Sequence, residues 1–284
     1  MKRYVLGIYE KALPDFPEWE QKLLHARQAG YDFLEMSLDE TDKKIARLQM
    51  PAKERLALLE AMARTGVPVR SMCLSAHRKY PIGSHDPAVA QRGMQIMEKA
   101  IDLADDLGIR MIMLAGYDVY YEDSDAETRA RFAANLQSCV ELAARKGVTL
   151  AFETMETPFM NTVGKAMRFV RQVGSPYLQV YPDIGNITNA AKADGADVTE
   201  DMQTGAGHLV GLHLKETSPG VFRDMMYGDG HVDFPQAIHT AWQMGVRRYV
   251  TEFWYHGEEN WFDRVCFAAR FARELLDKEN DAGC

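Results

Sequence analysis

The sequence predicts a (β/α)₈ TIM barrel, an α/β fold in which eight parallel strands alternate with helices. Two observations support this. Amphipathic stretches end seven times in a glycine that is followed at once by a short apolar run, and these glycines recur about every 36 residues, the size of one strand–helix unit. A further apolar run opens the chain with no helix before it, which raises the strand count to eight. The repeating glycines are Gly30, Gly66, Gly108, Gly147, Gly174, Gly207 and Gly245.

The predicted strands are rich in β-branched, aromatic and aliphatic residues, as strands usually are. Every run after the first follows one of the glycines, which suit the left-handed position just past a helix C-terminus. In chain order the runs are YVLGIY at 4–9, YDFLEMSL, VPVRSMCLSA, IRMIMLAG, VTLAFETM, SPYLQVYPDIG, HLVGLHLK and VRRYVTEFW.

Helices fit the gaps between these runs. One is expected to begin at Asp86 and Pro87, a favourable cap and first-turn pair, and another at Ser124 or Asp125. The last helix is expected over about 258–278. No glycine-rich phosphate fingerprint follows the first strand, which argues against a doubly wound dinucleotide-binding sheet. No linker divides the chain, so we expect residues 1–284 to form a single barrel domain.

The composition is that of an ordinary globular protein, with 46% hydrophobic and 26% charged residues in a chain of 284. There is no run of about 18 apolar residues to suggest a membrane span, and the first residues lack the features of a signal peptide. A net charge of −8 without basic clusters argues against a nucleic-acid partner. The cysteines have no metal-knuckle spacing and indicate free thiols in a reducing cytoplasm. They are Cys73, Cys139, Cys266 and Cys284.

Strand alternation predicts which side chains face the barrel lumen, because outward residues pack on the helices and inward residues fill the interior. In the fifth strand, apolar Leu150 and Phe152 are expected to face outward, which turns Glu153 inward. In the seventh, Val210 and Leu212 are expected outward. The same alternation directs one metal-ligand type of side chain inward near the C-terminal end of each of the last four strands: Glu153, Asp183, His213 and Glu252.

These four residues suggest a metal site, since barrel enzymes keep their active sites at the C-terminal ends of the strands. Three carboxylates packed together repel one another unless a cation neutralises them. Such a set of oxygen and nitrogen ligands suits Mn²⁺, Zn²⁺, Co²⁺ or Mg²⁺. The alternative is that each residue is a separate polar side chain paired with a local Lys or Arg.

Longer motifs carry a resemblance to a known family. The stretches AFETMETPFMN, YPDIGN, GLHLKETSPGVF and VTEFW resemble the sugar-phosphate isomerase/epimerase barrels of the xylose-isomerase-like superfamily. The stretches LGIYEKALP, DFLEMSLDETD, SMCLSAHRKYPIGS and LAGYDVYY resemble its L-ribulose-5-phosphate 3-epimerase (L-xylulose-5-phosphate 3-epimerase) group more closely. The similarity extends from about residue 4 to about residue 275.

The resemblance implies one divalent metal held by the same four residues, with Glu153 and Glu252 also acting as the proton-transfer pair. It implies a cytoplasmic isomerase that interconverts L-xylulose 5-phosphate and L-ribulose 5-phosphate through a 2,3-enediolate, as in L-ascorbate degradation. Asn186 stands where related free-ketose epimerases carry a His, and their downstream Arg has no match near Pro219. Both departures fit a different substrate end, such as a phosphate.

A phosphate requires donors, and the sequence offers several. Lys215 lies on the inward face of the seventh strand and is the first candidate. After the third strand, Ser75 and His77 are expected to continue the inward phase, with Arg78 as a neighbouring cation and Ser84 as a further hydroxyl.

Other polar and aromatic residues admit two interpretations each. Glu35 on the second strand is expected to bind substrate hydroxyls, or else to be a polar residue of the lumen, and Asn186 is a further substrate candidate. Tyr117 and Tyr120 could form a wall of the site or a dimer contact, and Trp254 could cover the sugar. Glu156 lies past its strand and is expected to lie outside the metal set.

Three other functions are weighed against the epimerase. An aldose–ketose isomerase could use the same metal and carboxylates. An endonuclease of the same superfamily would need more inward histidines and a basic groove, and the chain has eight histidines in all and a net charge of −8. A non-catalytic sugar- or metal-binding protein could share the fold, since a barrel alone does not imply activity.

The aromatic residues of the late βα segments suggest a homodimer.

Overall fold

Eight parallel strands form one sheet in a computed structural model that describes residues 2–282. The hydrogen-bonded order is β6-β5-β4-β3-β2-β1-β8-β7, so every pair of sequence neighbours except β6 and β7 is hydrogen-bonded, and β8 returns to β1. This is the strand order that the sequence predicted for a barrel. The strands are β1 (Val5–Tyr9), β2 (Phe33–Leu38), β3 (Val69–Leu74), β4 (Met111–Ala115), β5 (Thr149–Glu153), β6 (Leu178–Val180), β7 (Leu212–Leu214) and β8 (Arg248–Thr251).

Helices connect the strands, and the described part of the chain contains more of them than the repeat alone predicts. The extra ones lie in the connections after β2 and β6. In order they are α1 (Trp19–Gln28), α2 (Asp42–Ala46), α3 (Ala52–Thr65), α4 (Pro87–Asp106), α5 (Ala126–Lys146), α6 (Val163–Val173), α7 (Ile184–Asp194), α8 (Val198–Gln203), α9 (Phe234–Gln243) and α10 (Trp261–Ala282). Short 3₁₀ turns occupy Glu10–Ala12, Arg47–Gln49 and Ser75–Arg78.

The two predicted helix starts, at Asp86 and near Asp125, are confirmed, and the last helix runs over Trp261–Ala282, slightly later than expected. Asp86 caps α4 through its side chain, and Asp125 rather than Ser124 caps α5 in a capping box with Thr128. All seven repeat glycines have positive φ, as their position after a helix or turn requires. Gly147 shows why: at φ 65° it accepts the left-handed conformation that ends α5, and β5 begins two residues later.

The apolar residues form two layers, as strand alternation predicts. Leu150 and Phe152 belong to the large core between the sheet and its helices. Ala151 belongs to a smaller cluster inside the barrel, together with Tyr181 and Val250. One outward assignment is wrong: Val210 packs against this inner cluster, because it precedes β7 and lies where regular strand alternation has not yet begun.

The barrel closes between β6 and β7 along a seam that lacks a regular strand pair. Two isolated parallel bridges join the two sides there, Val180 with Leu209 and Asp183 with His213. The His213 amide donates to the Pro182 carbonyl at 2.9 Å. We refer to these bridged residues as the closing seam, and its upper bridge connects two of the predicted metal ligands.

Two further expectations concern cysteines and membranes. Cys73, Cys139 and Cys266 are free thiols, while Cys284 lies outside the described residues. Across residues 2–282, the structure has no helix whose length and apolar character would let it cross a membrane.

Candidate metal centre and active site

The four predicted ligands meet at the C-terminal ends of the strands. Glu153 is the last residue of β5, Asp183 is the N-cap of α7, His213 is the middle residue of β7, and Glu252 directly follows β8. One potential ligand atom from each lies within 4.8 Å of the others, and all four side chains are buried. This buried cluster could hold a metal ion.

The electrostatics of the cluster fit a cation. Burial, followed by the charge of Glu252, raises the pKa of Glu153 well above its usual value. Burial likewise raises the pKa of Asp183 to about 7. Asp183 Oδ2 is buried and accepts no hydrogen bond, although Lys215 Nζ lies 3.2 Å away. A divalent cation would remove the repulsion that otherwise favours protonation of these carboxyl groups, so the residues present fit a metal.

The imidazole of His213 bridges two carboxylates. Its Nδ1 lies 2.6 Å from Glu252 Oε2 and 3.6 Å from Glu153 Oε1, so this nitrogen faces the cluster. Its Nε2 lies 2.6 Å from Glu35 Oε1 on the opposite side. Burial would lower the pKa of His213, but the charges of Glu35 and Glu252 outweigh it and raise that pKa well above its usual value.

Glu35 does point into the barrel, but its predicted contact with substrate hydroxyls is not supported. It is fully buried, and it lies beneath the His213 ring rather than in the wall of the cavity above the cluster. Its other carboxylate oxygen accepts a hydrogen bond from Ser71 Oγ at 2.6 Å. Strand alternation gave its direction correctly and could not show that the imidazole separates it from the cavity.

Lys215 lies beside the ligands instead of near the solvent. Its ammonium group is 3.2 Å from Asp183 Oδ2 and donates to Asn186 Oδ1 at 2.9 Å. Burial would lower the pKa of Lys215, but the charge of Asp183 and its neighbours raises it. Asn186 also donates its amide to the Thr154 carbonyl at 2.7 Å, so both ends of its side chain are engaged with protein.

A cavity of about 60 Å³ lies above the cluster and opens to solvent. Of the sequence candidates, Ser75, Arg78, Asn186 and Lys215 line it, together with Glu153 and Glu252. Trp254 lines it too, in agreement with the expectation that this ring could cover a ligand. Further lining residues were not proposed as ligand contacts from the sequence: Tyr9, Lys11, Cys73, Met155, Glu156, Phe222 and Arg223.

His77 and Ser84 do not reach this cavity, contrary to expectation. The chain leaves β3 at Leu74 and enters a 3₁₀ turn, in which strand alternation no longer applies. His77 Nε2 instead donates to the Gly93 carbonyl in α4, and burial lowers its pKa to about 4, which keeps the ring neutral. The Ser84 hydroxyl donates to Glu122.

Glu156 organises the outer wall of the cavity. It accepts hydrogen bonds from Tyr117 at 2.5 Å and from Tyr120 at 3.3 Å, and it pairs with Arg223 at 3.4 Å. Burial would raise the pKa of Glu156, but the Tyr117 hydroxyl, a backbone hydrogen bond and the charges of Arg78 and Arg223 together lower it. The Arg78 guanidinium lies 4.9 Å from the centre of the Tyr120 ring. The two tyrosines thus lie behind the wall, in contact with Glu156 and Arg78, and neither of them lines the cavity itself.

Arg223 and Lys11 add cations that sequence reasoning missed. Arg223 lies four residues beyond Pro219, where no arginine was expected to match, and the loop after β7 brings it to the cavity. Arg223 lies in an irregular loop, and the loop sequence has no periodicity that could predict where its side chain points. Lys11 follows β1 by two residues and pairs with Asp39 at 2.6 Å. The rule that places active sites at C-terminal strand ends could have identified Lys11.

Comparison with known proteins shows consistent similarities. The family model described as "Xylose isomerase-like TIM barrel" matches residues 23–273. The chain is 48% identical over 278 residues to L-ribulose-5-phosphate 3-epimerase UlaE of Salmonella paratyphi A, covering 98% of this chain and 96% of that protein.

Solved structures show the same fold at low sequence identity. A structure of L-ribulose 3-epimerase has a TM-score of 0.78 at 23% identity and covers 99% of this chain and 97% of its own. A D-tagatose 3-epimerase-like protein has a TM-score of 0.81 at 14% identity and covers 99% and 100%. At these identities the structural likeness supports the barrel fold alone.

Proposed function

Since the chain belongs to the xylose isomerase-like TIM barrel family, we propose that it is a metal-dependent 3-epimerase that interconverts L-xylulose 5-phosphate and L-ribulose 5-phosphate. The chain is accordingly an isomerase of the epimerase class, as its curated relative is. The observation that carries the proposal is the pair Glu153 and Glu252, two buried carboxylates from different strands in one cluster beneath an open cavity. We also propose that this reaction serves pentose catabolism, including the degradation of L-ascorbate.

The metal would be held by Glu153, Asp183, His213 and Glu252, with Zn²⁺, Mn²⁺, Co²⁺ and Mg²⁺ as candidates. When bound, a divalent cation supplies Lewis acidity that stabilises negative charge developing on the substrate oxygens. The chain contributes a site that is buried on all sides except the cavity. The neighbouring Lys215 ammonium adds a fixed positive charge on the same side.

Inversion at C3 requires that a proton leave one face of the carbon and that another arrive on the opposite face. Glu153 comes from β5 and Glu252 from β8, which are separated in the closed barrel by β6 and β7. Two carboxylates that approach a ligand from different strands can reach opposite faces of one carbon. We therefore propose that one removes the C3 proton and the other delivers a proton to the 2,3-enediolate, as general base and general acid.

The substrate phosphate is proposed to bind at the outer part of the cavity. Lys11, Arg78 and Arg223 all line it, and the Arg223 side chain is 41% exposed, which leaves guanidinium donors free for a ligand. Ser75 adds a hydroxyl to the same wall. Lys215 lies too close to the metal ligands for this role, so we assign it to the oxygens near the reacting carbon, with Asn186 holding its ammonium group.

The test is incubation of the metal-loaded enzyme with L-xylulose 5-phosphate in D₂O, followed by NMR. We expect deuterium at C3 and the appearance of L-ribulose 5-phosphate. An aldose phosphate with exchange at C2 would instead indicate the aldose–ketose isomerase, and binding without any exchange would indicate a sugar-binding protein. Glu153→Gln and Glu252→Gln serve as inactive matched controls.

We extend the proposal to the domain organisation and the oligomeric state. We propose that the chain, predicted over residues 1–284 as one domain, is a single barrel domain across the described residues 2–282, and that the protein is a homodimer. Exposed apolar side chains on outer helices, Leu56 and Leu59 of α3 and Phe267 of α10, support an association surface. Light scattering that gives the mass of one chain at micromolar concentration would contradict the dimer.

A further inference from the structure

We propose that Glu35 is a positioning residue for the metal centre, acting through His213: it fixes the tautomer and the orientation of the imidazole so that Nδ1 presents its lone pair to the metal. This inference rests on the proposed metal site. It assigns a function to a buried carboxylate that the proposed chemistry leaves unused.

The geometry separates the two nitrogens of His213. Nδ1 lies 2.6 Å from Glu252 and 3.6 Å from Glu153, both members of the cluster. Nε2 lies 2.6 Å from Glu35, which is not a member. A carboxylate only accepts hydrogen bonds, and without a metal both ring nitrogens can donate one, Nδ1 to Glu252 and Nε2 to Glu35. A metal bound among the four ligands would take the place of the Nδ1 proton, while Nε2, which faces away from the cluster, keeps its proton and donates a hydrogen bond to Glu35. Nδ1 is then left as the metal-binding nitrogen.

Glu35 is itself rigidly held. Both Glu35 and His213 have 0% exposure, and Ser71 Oγ donates to the second Glu35 oxygen at 2.6 Å. Within residues 2–282, no Lys or Arg forms an ion pair with Glu35, and the His213 imidazole is the partner of its Oε1. The negative charge of Glu35 is thus directed at the imidazole alone, which makes the ring a stronger ligand.

The faces of the imidazole are fixed by aromatic packing. The Tyr181 ring meets the His213 ring edge-on at 5.1 Å, and the Tyr9 ring lies 6.3 Å away. Gly211 makes room for this arrangement, since a Cβ at that position would come within 2.6 Å of the Tyr181 ring. The ring plane is therefore set by packing, while the hydrogen bond to Glu35 sets which nitrogen is protonated.

The test compares Glu35→Gln with the wild type by measuring metal affinity in competition with a chelator, using Zn²⁺ and Mn²⁺ as probes. Gln can accept from Nε2 and keep a bond to Ser71, but it lacks the charge. We expect metal affinity to fall about 10- to 100-fold. Ser71→Ala retains the charge and removes only one hydrogen bond, and we expect a change of less than about 5-fold by the same reasoning.

Steady-state kinetics at saturating metal distinguish positioning from substrate contact. We expect Glu35→Gln to recover most of the wild-type kcat with an unchanged KM, because Glu35 does not line the cavity. A raised KM at saturating metal would overturn the proposal in favour of a substrate contact. Metal affinity within about 3-fold of the wild type would overturn it as well.

Nitrogen-15 NMR of the imidazole provides a direct readout. The metal-loaded wild type should show His213 protonated at Nε2, and an Nδ1-protonated ring would contradict the assignment. Metal affinity and tautomer are measurable without turnover, so failure of this proposal is distinguishable from failure of the epimerase proposal. The melting temperature of the metal-free Glu35→Gln protein controls for simple destabilisation.

Discussion

Asp183 and His213 face each other across the closing seam of the barrel, joined by an isolated parallel bridge at the point where regular strand pairing has ended. Both are proposed metal ligands that project into the same buried cluster. A metal bound there would therefore connect the two edges of the sheet in addition to serving the chemistry.

We accordingly predict that metal removal loosens the seam. At a free metal concentration about 100 times the Kd, binding stabilises the fold by about 2.7 kcal/mol, and this is lost on chelation. Hydrogen exchange should accelerate most for the amides of His213 and Val210, which cross the seam, and least for the β3–β4 pairs. Equal acceleration across the sheet would contradict a local role of the metal.

The proton-transfer pair can be tested by Glu153→Gln and Glu252→Gln at saturating metal, with metal content measured. Loss of a general acid or base typically costs 10²- to 10⁴-fold, so we expect kcat to fall by about that factor in each variant. Binding of the ketose phosphate should remain measurable by calorimetry. Glu60→Gln on the exposed face of α3 is the matched control, and near-normal kcat in both site variants would refute the assignment.

Phosphate recognition can be tested by Arg78→Met and Arg223→Met. A charge-assisted hydrogen bond contributes about 1.5–3 kcal/mol, so we expect KM for the ketose phosphate to rise about 10- to 100-fold in at least one variant. The corresponding unphosphorylated ketose should show little change. A similar loss for both substrates would show that the arginines hold the sugar or the Glu156 wall instead.

Glu10 gives a prediction about stability and pH that is independent of the active site. Burial would raise its pKa, but a hydrogen bond from Arg47 and the charges of Arg47, Lys44 and Lys22 lower it far below its usual value. A lowered folded-state pKa contributes stability that is present above the unfolded-state pKa and is lost as pH falls.

We therefore expect Glu10→Gln to lower the free energy of unfolding by about 3 kcal/mol at pH 7, because it leaves three cations without their buried partner. The difference from wild type should shrink as pH falls below about 4.5, where the unfolded chain protonates Glu10. Denaturant titrations of both proteins at pH 7, 5 and 3.5 measure this difference in the free energy of unfolding. A difference that is constant with pH would show that the carboxylate charge contributes nothing.

The sequence predicted the parts of this site that depend on regular strands. Glu153, Asp183, His213 and Glu252 could be identified because outward apolar residues fix the direction of their neighbours, and each lies within a strand or at most three residues past its end. His77 was misplaced because the 3₁₀ turn after Leu74 changes the periodicity from two residues to three. Alternation describes a strand and says nothing about the turn that follows it.

Other features depended on contacts between distant parts of the chain. The partner of Glu35 is 178 residues away in sequence, and only the closed barrel brings the His213 ring above it. Arg223 reaches the cavity through an irregular loop whose path is set by its own contacts, among them the bridge of Ser218 with Val221. No local pattern could have predicted either placement.

The position of β8 between β1 and β7 has a consequence for synthesis on the ribosome. Until Glu252 has emerged, a nascent chain with seven strands lacks one of the four proposed metal ligands and leaves β1 and β7 without the strand that pairs with both. Exposed strand edges are where growing chains associate wrongly. Completion of the proposed metal centre and pairing of those edges therefore occur together, once β8 and Glu252 have been added, so a metal bound there would favour chains whose barrel has closed.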